Sequence, residues 1–90
     1  METLIHQFFE KKMKTIYRKE YVSILLFLKS ARIKKKLPQE ELASLLGKDQ
    51  TYVSKYESGI RRLDVVEVFD ICKALGINMT DIISIMESEI

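Results

Sequence analysis

The amino-acid sequence predicts an all-α fold: a compact five-helix domain with one more helix added at its N-terminus. Three observations predict it. Apolar residues recur at helical spacing and nowhere give way to period-two alternation, so six helices and no strand are expected. Gly47, Gly59 and Gly76 each follow such a stretch, where a helix stop favours the left-handed conformation. Asp49 and Asp64 precede the stretches that come next, where a helix start favours an acceptor side chain. The chain divides on this reading into an N-terminal extension, residues 1–18, and a main domain, residues 19–90.

The first expected helix covers Thr3 to Lys14, with Leu4, Ile5, Phe8, Phe9 and Met13 on one side. The second runs from Lys19 to Lys35, with Tyr21, Val22, Leu25, Leu28 and Arg32 on one side. The third spans Gln39 to Leu46 and should bury Leu42, Ala43 and Leu46. A fourth, residues 50–58, begins after the Asp49 cap, should bury Val53 and Tyr56, and stops at Gly59. Asp64 opens the fifth, with Glu67 three residues on as a capping-box pair. Its expected stripe is Val65, Val68, Phe69, Cys72 and Leu75. Asn78 and Asp81 repeat the cap logic for a last helix carrying Ile82, Ile83, Ile85, Met86 and Ile90.

Ninety residues make one small domain with a modest core, and such domains often gain stability by dimerising. The chain is 47% apolar and 31% charged, which suits a soluble helical domain. The longest apolar run, Ile24 to Leu28, falls far short of the ~18 residues of a membrane span. No apolar signal-peptide core is expected around Glu2 and His6. A lone cysteine rules out an internal disulfide and fits a reducing cytoplasm. Charge is uneven. Residues 1–38 hold ten Lys/Arg against three Asp/Glu, a balance of +7, and residues 39–90 hold five against ten, a balance of −5. A basic end can sit on phosphates while an acidic end points away, although charge runs are as often ordinary solvated faces.

Catalysis has little support. His6 is the only histidine, and Cys72 lies on an apolar stripe, where it reads as a small core residue. No cluster has metal-ligand spacing, and no glycine-rich phosphate loop or nucleophile elbow appears. No metal and no cofactor are therefore expected.

The informative stretch is LPQEELASLLGKDQTYVSKYESG, Leu37 to Gly59. It reads as two short amphipathic helices joined by a tight turn at Gly47. Gln50, Thr51, Ser54 and Lys55 share the face opposite Val53 and Tyr56. A helix-turn-helix presents its second helix to base edges in this way. Gln pairs bidentately with adenine, Lys donates to guanine, and the Thr methyl meets a thymine methyl. A plain surface helix would carry the same residue types. The partner helix and both glycines, placed where the motif needs them, favour base reading.

From about Tyr21 to Ile83 the chain resembles the lambda-repressor-like, Cro/XRE helix-turn-helix family. Leu28, Arg32, Leu37, Gln39, Leu42, Ala43, Gly47, Val53, Ser54, Glu57, Gly59, Arg62, Leu63, Asp64, Ala74, Leu75 and Gly76 carry the match. The resemblance implies a lambda-repressor-like fold that binds double-stranded DNA in the major groove. It also implies roles. Gln50, Thr51 and Lys55 would read bases. Gln39 would bind a phosphate and brace Gln50. Tyr52 would lean on the groove wall, and Arg61 would meet the backbone or a base edge. Arg62 beside it is a further candidate for the DNA backbone. Arg32 and Glu57 would form an ion pair tying the first core helix to the end of the reading helix. This chain departs from the family in having Pro38 where Ser or Thr is usual, and Lys36 where Gly is frequent.

Three segments carry two readings each. Lys34, Lys35 and Lys36 either touch phosphate or form a solvated turn. The first twelve residues, with Phe8 and Phe9, either pack as an added helix or fray. Ile82, Ile85, Met86 and Ile90 either form a two-fold interface or are buried within one chain, and the interface is preferred. The function expected is a small repressor or autoregulator acting as a homodimer in the cytoplasm, away from membranes. The alternative is an antitoxin-type module that neutralises a protein partner through its N-terminal extension.

Overall fold

The computed structural model describes residues 18–89. The expected N-terminal helix with Phe8 and Phe9, and the terminal Ile90, lie outside the described residues. Among the described residues there are five helices and no strand: α1 (Lys19–Lys34), α2 (Gln39–Leu45), α3 (Tyr52–Glu57), α4 (Val65–Leu75) and α5 (Met79–Ser88).

Helix α1 buries Tyr21, Ile24, Leu25, Leu28 and Arg32, an i, i+3, i+4, i+7, i+11 row. It ends without glycine. Lys36 takes the left-handed conformation at φ 55°, its N–H reaching the Ile33 carbonyl at 2.8 Å. The Leu37 N–H reaches the Arg32 carbonyl at 3.2 Å, which completes the Schellman pattern. A residue with a Cβ in this conformation costs roughly 1 kcal/mol. Pro38 then opens α2 at φ −62° with no side-chain cap, as a helix start tolerates. Gly47 repeats the same stop at φ 68° and turns the chain into the motif's second helix.

Helix α1 packs against α3, α4 and α5, while α2 packs against α3. Leu28, Leu42, Val53, Tyr56, Ile71 and Leu75 fill the centre, each at most 1% exposed. Burying a large apolar side chain stabilises by roughly 1.5–3 kcal/mol, so this group dominates the fold's energetics. The Tyr21 hydroxyl accepts the buried Leu63 N–H at 3.0 Å, pinning the segment between α3 and α4. Ser23 donates to Glu89 at 2.9 Å, fastening α1 to the end of α5. The capping box at the start of α4 is complete, and Gly76 ends that helix in the left-handed conformation.

Several expected details differ. On α1, Ile24 is buried and Val22 is exposed, because the run Ile24 to Leu28 is apolar on every side and does not mark its inner face. On α4 the buried row is Val68, Ile71, Cys72 and Leu75, with Val65 and Phe69 exposed. One position along a helix rotates a side chain by about 100°, and the apolar cluster around Val65–Phe69 permits more than one row. Leu46 is half-buried, and Asn78 makes no side-chain cap bond. The reading helix is shorter than residues 50–58, spanning Tyr52–Glu57, with Gln50 and Thr51 in the turn ahead of it. Ile82 is 3% exposed because α5 packs on α1, so it is a core residue of the single chain and is not free to form an interface. Ile85 is half-buried, and Met86 is 42% exposed.

Candidate nucleic-acid interface

Helix α3 has two faces. Val53 and Tyr56 are fully buried on one, which sets the helix against the core. Ser54 and Lys55 are exposed on the other, continuous with exposed Gln50 and Thr51 in the preceding turn. Asp49 holds that turn: its carboxylate accepts the Thr51 N–H at 2.8 Å and the Thr51 hydroxyl at 2.7 Å. The Thr51 N–H and hydroxyl hold the Asp49 carboxyl below its ordinary value. Asp49 therefore orders the turn ahead of α3 and is not its N-cap. That position falls to Thr51, which makes no side-chain cap bond, because the helix starts two residues later than the sequence suggests.

The far end of α3 is clamped. Arg32 Nε donates to Glu57 Oε2 at 2.7 Å, and Arg32 Nη2 donates to Glu57 Oε1 at 3.0 Å. Gln39 Nε2 donates to the same Oε1 at 2.9 Å. Arg32 Nη1 also donates to the Leu37 carbonyl at 2.9 Å. The hydrogen bond to Glu57 raises the Arg32 guanidinium above its ordinary value. One carboxylate thus joins α1, the start of α2 and the end of α3. Gln39 is half-buried with its amide nitrogen on Glu57, which ties the start of α2 to the end of α3.

Tyr52 differs most from its expected place. It is 8% exposed and turned into the core instead of outward. Its ring packs edge-on against Tyr56, with centroids 5.6 Å apart. Its hydroxyl donates to Glu67 Oε2 at 3.1 Å. Burial and the Glu67 charge push the Tyr52 hydroxyl up to about 12. Two cations lie beside the ring, Lys48 Nζ at 5.5 Å from the centroid and the Arg61 guanidinium carbon at 4.9 Å. A cation held on an aromatic face keeps its charge while losing freedom, which suits a group placed near phosphate.

Arg61 is only half free, because its Nη1 lies 2.7 Å from Glu67 Oε2. Arg62, Lys34, Lys35 and Lys36 are exposed. Two residues of this surface escape a reading of the sequence alone. Lys48 sits in the motif's turn with no periodic signal. Glu67 shows its capping role in the pattern Asp64-x-x-Glu67, but not its reach to Tyr52 and Arg61.

Among the described residues no group of three His, Cys, Asp or Glu could hold a metal ion. Cys72 is free and buried, and burial pushes its thiol up. No described helix is long and apolar enough to cross a membrane.

Comparison with known proteins relates the chain to a family and to solved structures. A helix-turn-helix family model matches residues 28–82. Among solved structures, the chain is similar to an XRE-family like protein from Pseudomonas syringae pv. tomato str. DC3000. That match has 38% identity and a TM-score of 0.75, and covers 87% of this chain and 95% of the other. Curated proteins give no match.

Proposed function

This chain belongs to the XRE-type helix-turn-helix family of DNA-binding transcription regulators, and from that premise we propose that it is a small repressor or autoregulator that reads its operator as a homodimer in the cytoplasm. One observation carries the base-reading part. Exposed Gln50, Thr51, Ser54 and Lys55 stand on a segment whose opposite face is fully buried and whose two ends are held by Asp49 and Glu57. A surface helix under no positional demand needs no such fixing at both ends. Base recognition does, because a bidentate contact tolerates little displacement. Lys34, Lys36, Arg61 and Arg62 supply the backbone cations.

Dimerisation follows from information. One short helix contacts a few base pairs, too few to specify one site in a genome. Two copies place two reading helices in successive major grooves, with half-site centres about 34 Å apart. With Ile82 committed to the core, Ile85 and Met86 remain the candidates on α5.

Selection of duplexes from a random pool is the test. The expected product is a near-palindromic site with half-sites one helical turn apart. Gln50→Ala and Lys55→Ala should each weaken binding to it by ~1–3 kcal/mol and relax one base position. Sedimentation of Met86→Glu should show a shift toward monomer with helical content kept. A selected consensus that both alanine variants leave unchanged removes the assigned reading face. A wild type that stays monomeric on a single half-site removes the dimer.

A further inference from the structure

Glu67 belongs to the first turn of α4, yet groups from three places converge on its carboxylate. Its Oε1 accepts the Asp64 N–H at 2.9 Å. Its Oε2 accepts the Tyr52 hydroxyl at 3.1 Å and lies 2.7 Å from Arg61 Nη1. The side chain is 16% exposed. Tyr52 is the first residue of α3, and Arg61 lies in the segment that leaves that helix. One carboxylate therefore ties the entrance of the reading helix to its exit, as Glu57 ties its end to α1.

The capping box accounts for only half of this. A capping box needs one acceptor oxygen at the third helical position, and Gln supplies it as well as Glu. The second oxygen and the negative charge serve Tyr52 and Arg61. A carboxylate beside a phosphate-facing surface lowers electrostatic attraction for every DNA sequence, so its presence requires a compensating use.

We propose that Glu67 is a specificity-determining positioning residue. It fixes the start of α3 through Tyr52 and withholds Arg61 from indiscriminate phosphate contact. The proposal rests on the DNA-reading face described above. Specificity is a difference of affinities, and weakening the wrong complex is one way to raise it. Non-specific binding is almost wholly electrostatic, so a cation already paired in the free protein costs the non-specific complex most. The specific complex keeps its base contacts, which depend on where α3 begins. The Tyr52 ring, beside which Lys48 also lies, transmits the position of Glu67 to the motif's turn.

The test compares wild type, Glu67→Gln, Arg61→Gln and the double variant. Each is titrated against the selected duplex and an unrelated duplex of equal length, over a range of salt. In Glu67→Gln, binding to the unrelated duplex should tighten. Its log–log salt slope should steepen by about one unit, and the specific-to-unrelated ratio should fall several-fold. In the Arg61→Gln background the same change should leave the slope where it was. Gln retains the capping acceptor, so helical content should stay close to wild type, and melting should fall only modestly through loss of the part-exposed pair with Arg61. An unchanged slope and ratio in folded Glu67→Gln overturn the proposal. Equal steepening in both backgrounds also overturns it, since loss of one negative charge would then suffice. If Glu67→Gln melts below the working temperature, Tyr52→Phe decides: a lowered ratio supports the positioning role, and an equal ratio overturns it. A wild type that binds both duplexes equally removes the base-reading face itself, and this proposal with it.

Discussion

Arg32 and Glu57, 25 residues apart, meet as a two-pronged ion pair whose side chains are 10% and 3% exposed. Buried pairs of this kind add little over an apolar pair of the same volume, because each ion loses its hydration. Their value lies in the asymmetry. With both partners present the charges are satisfied, and with one removed the other is stranded.

Glu57→Ala should therefore destabilise the domain by about 3–5 kcal/mol, a large share of what a small domain holds. It strands Arg32 and frees Gln39 together. Urea unfolding is the measurement. A loss under about 1 kcal/mol would show that the pair behaves as a solvated surface bridge.

Lys36→Gly should stabilise by roughly 0.5–1 kcal/mol. The left-handed turn at φ 55° costs a side-chain-bearing residue more than it costs glycine. Greater freedom of glycine in the unfolded chain offsets part of the gain. The same variant removes one exposed cation from the basic run, so its DNA-binding salt slope should flatten if Lys36 contacts phosphate. A lower melting temperature would contradict the strain argument.

Tyr56→Phe should leave stability unchanged or raise it by up to about 1 kcal/mol. Tyr56 is fully buried, and its hydroxyl has no hydrogen-bond partner among the described residues. Leaving a buried polar group unsatisfied costs about 1–3 kcal/mol, and phenylalanine keeps the ring without that group. A clear loss of stability would reveal a partner for the hydroxyl.

Stability should fall at both pH extremes through groups at the α3–α4 junction. Burial opposes the charged form of Glu67, but hydrogen bonds from the Asp64 amide, Arg61 and Tyr52 outweigh it and hold the carboxyl below its ordinary 4.5. A depressed folded value gives stability that is present above 4.5 and lost as pH drops through the lower folded value. Tyr52 is raised from 10.0 to about 12, so its contribution is complete below 10.0 and lost as pH rises toward 12. Denaturation curves across pH would show both limbs, with Glu67→Gln blunting the acid one and Tyr52→Phe the alkaline one. An acid limb identical in Glu67→Gln would assign it to other carboxylates.

The sequence by itself determined the all-helical class, the breaks at Gly47, Gly59 and Gly76, the Asp64–Glu67 capping box and the exposed quartet Gln50, Thr51, Ser54 and Lys55. These are local properties. Helical spacing, caps and left-handed stops each depend on residues within a few positions of one another. Only the tertiary structure decided which apolar row of α1 and α4 faces inward, that Ile82 serves the core, that Tyr52 turns inward, and that Glu67 reaches Arg61. A run apolar on all sides carries no mark of its buried face until a neighbouring helix covers one. The long-range pair Arg32–Glu57 was legible only through resemblance to a family. The contact between Tyr52 and Glu67 had no such guide, because it depends on how α3 and α4 cross and not on any spacing along the chain.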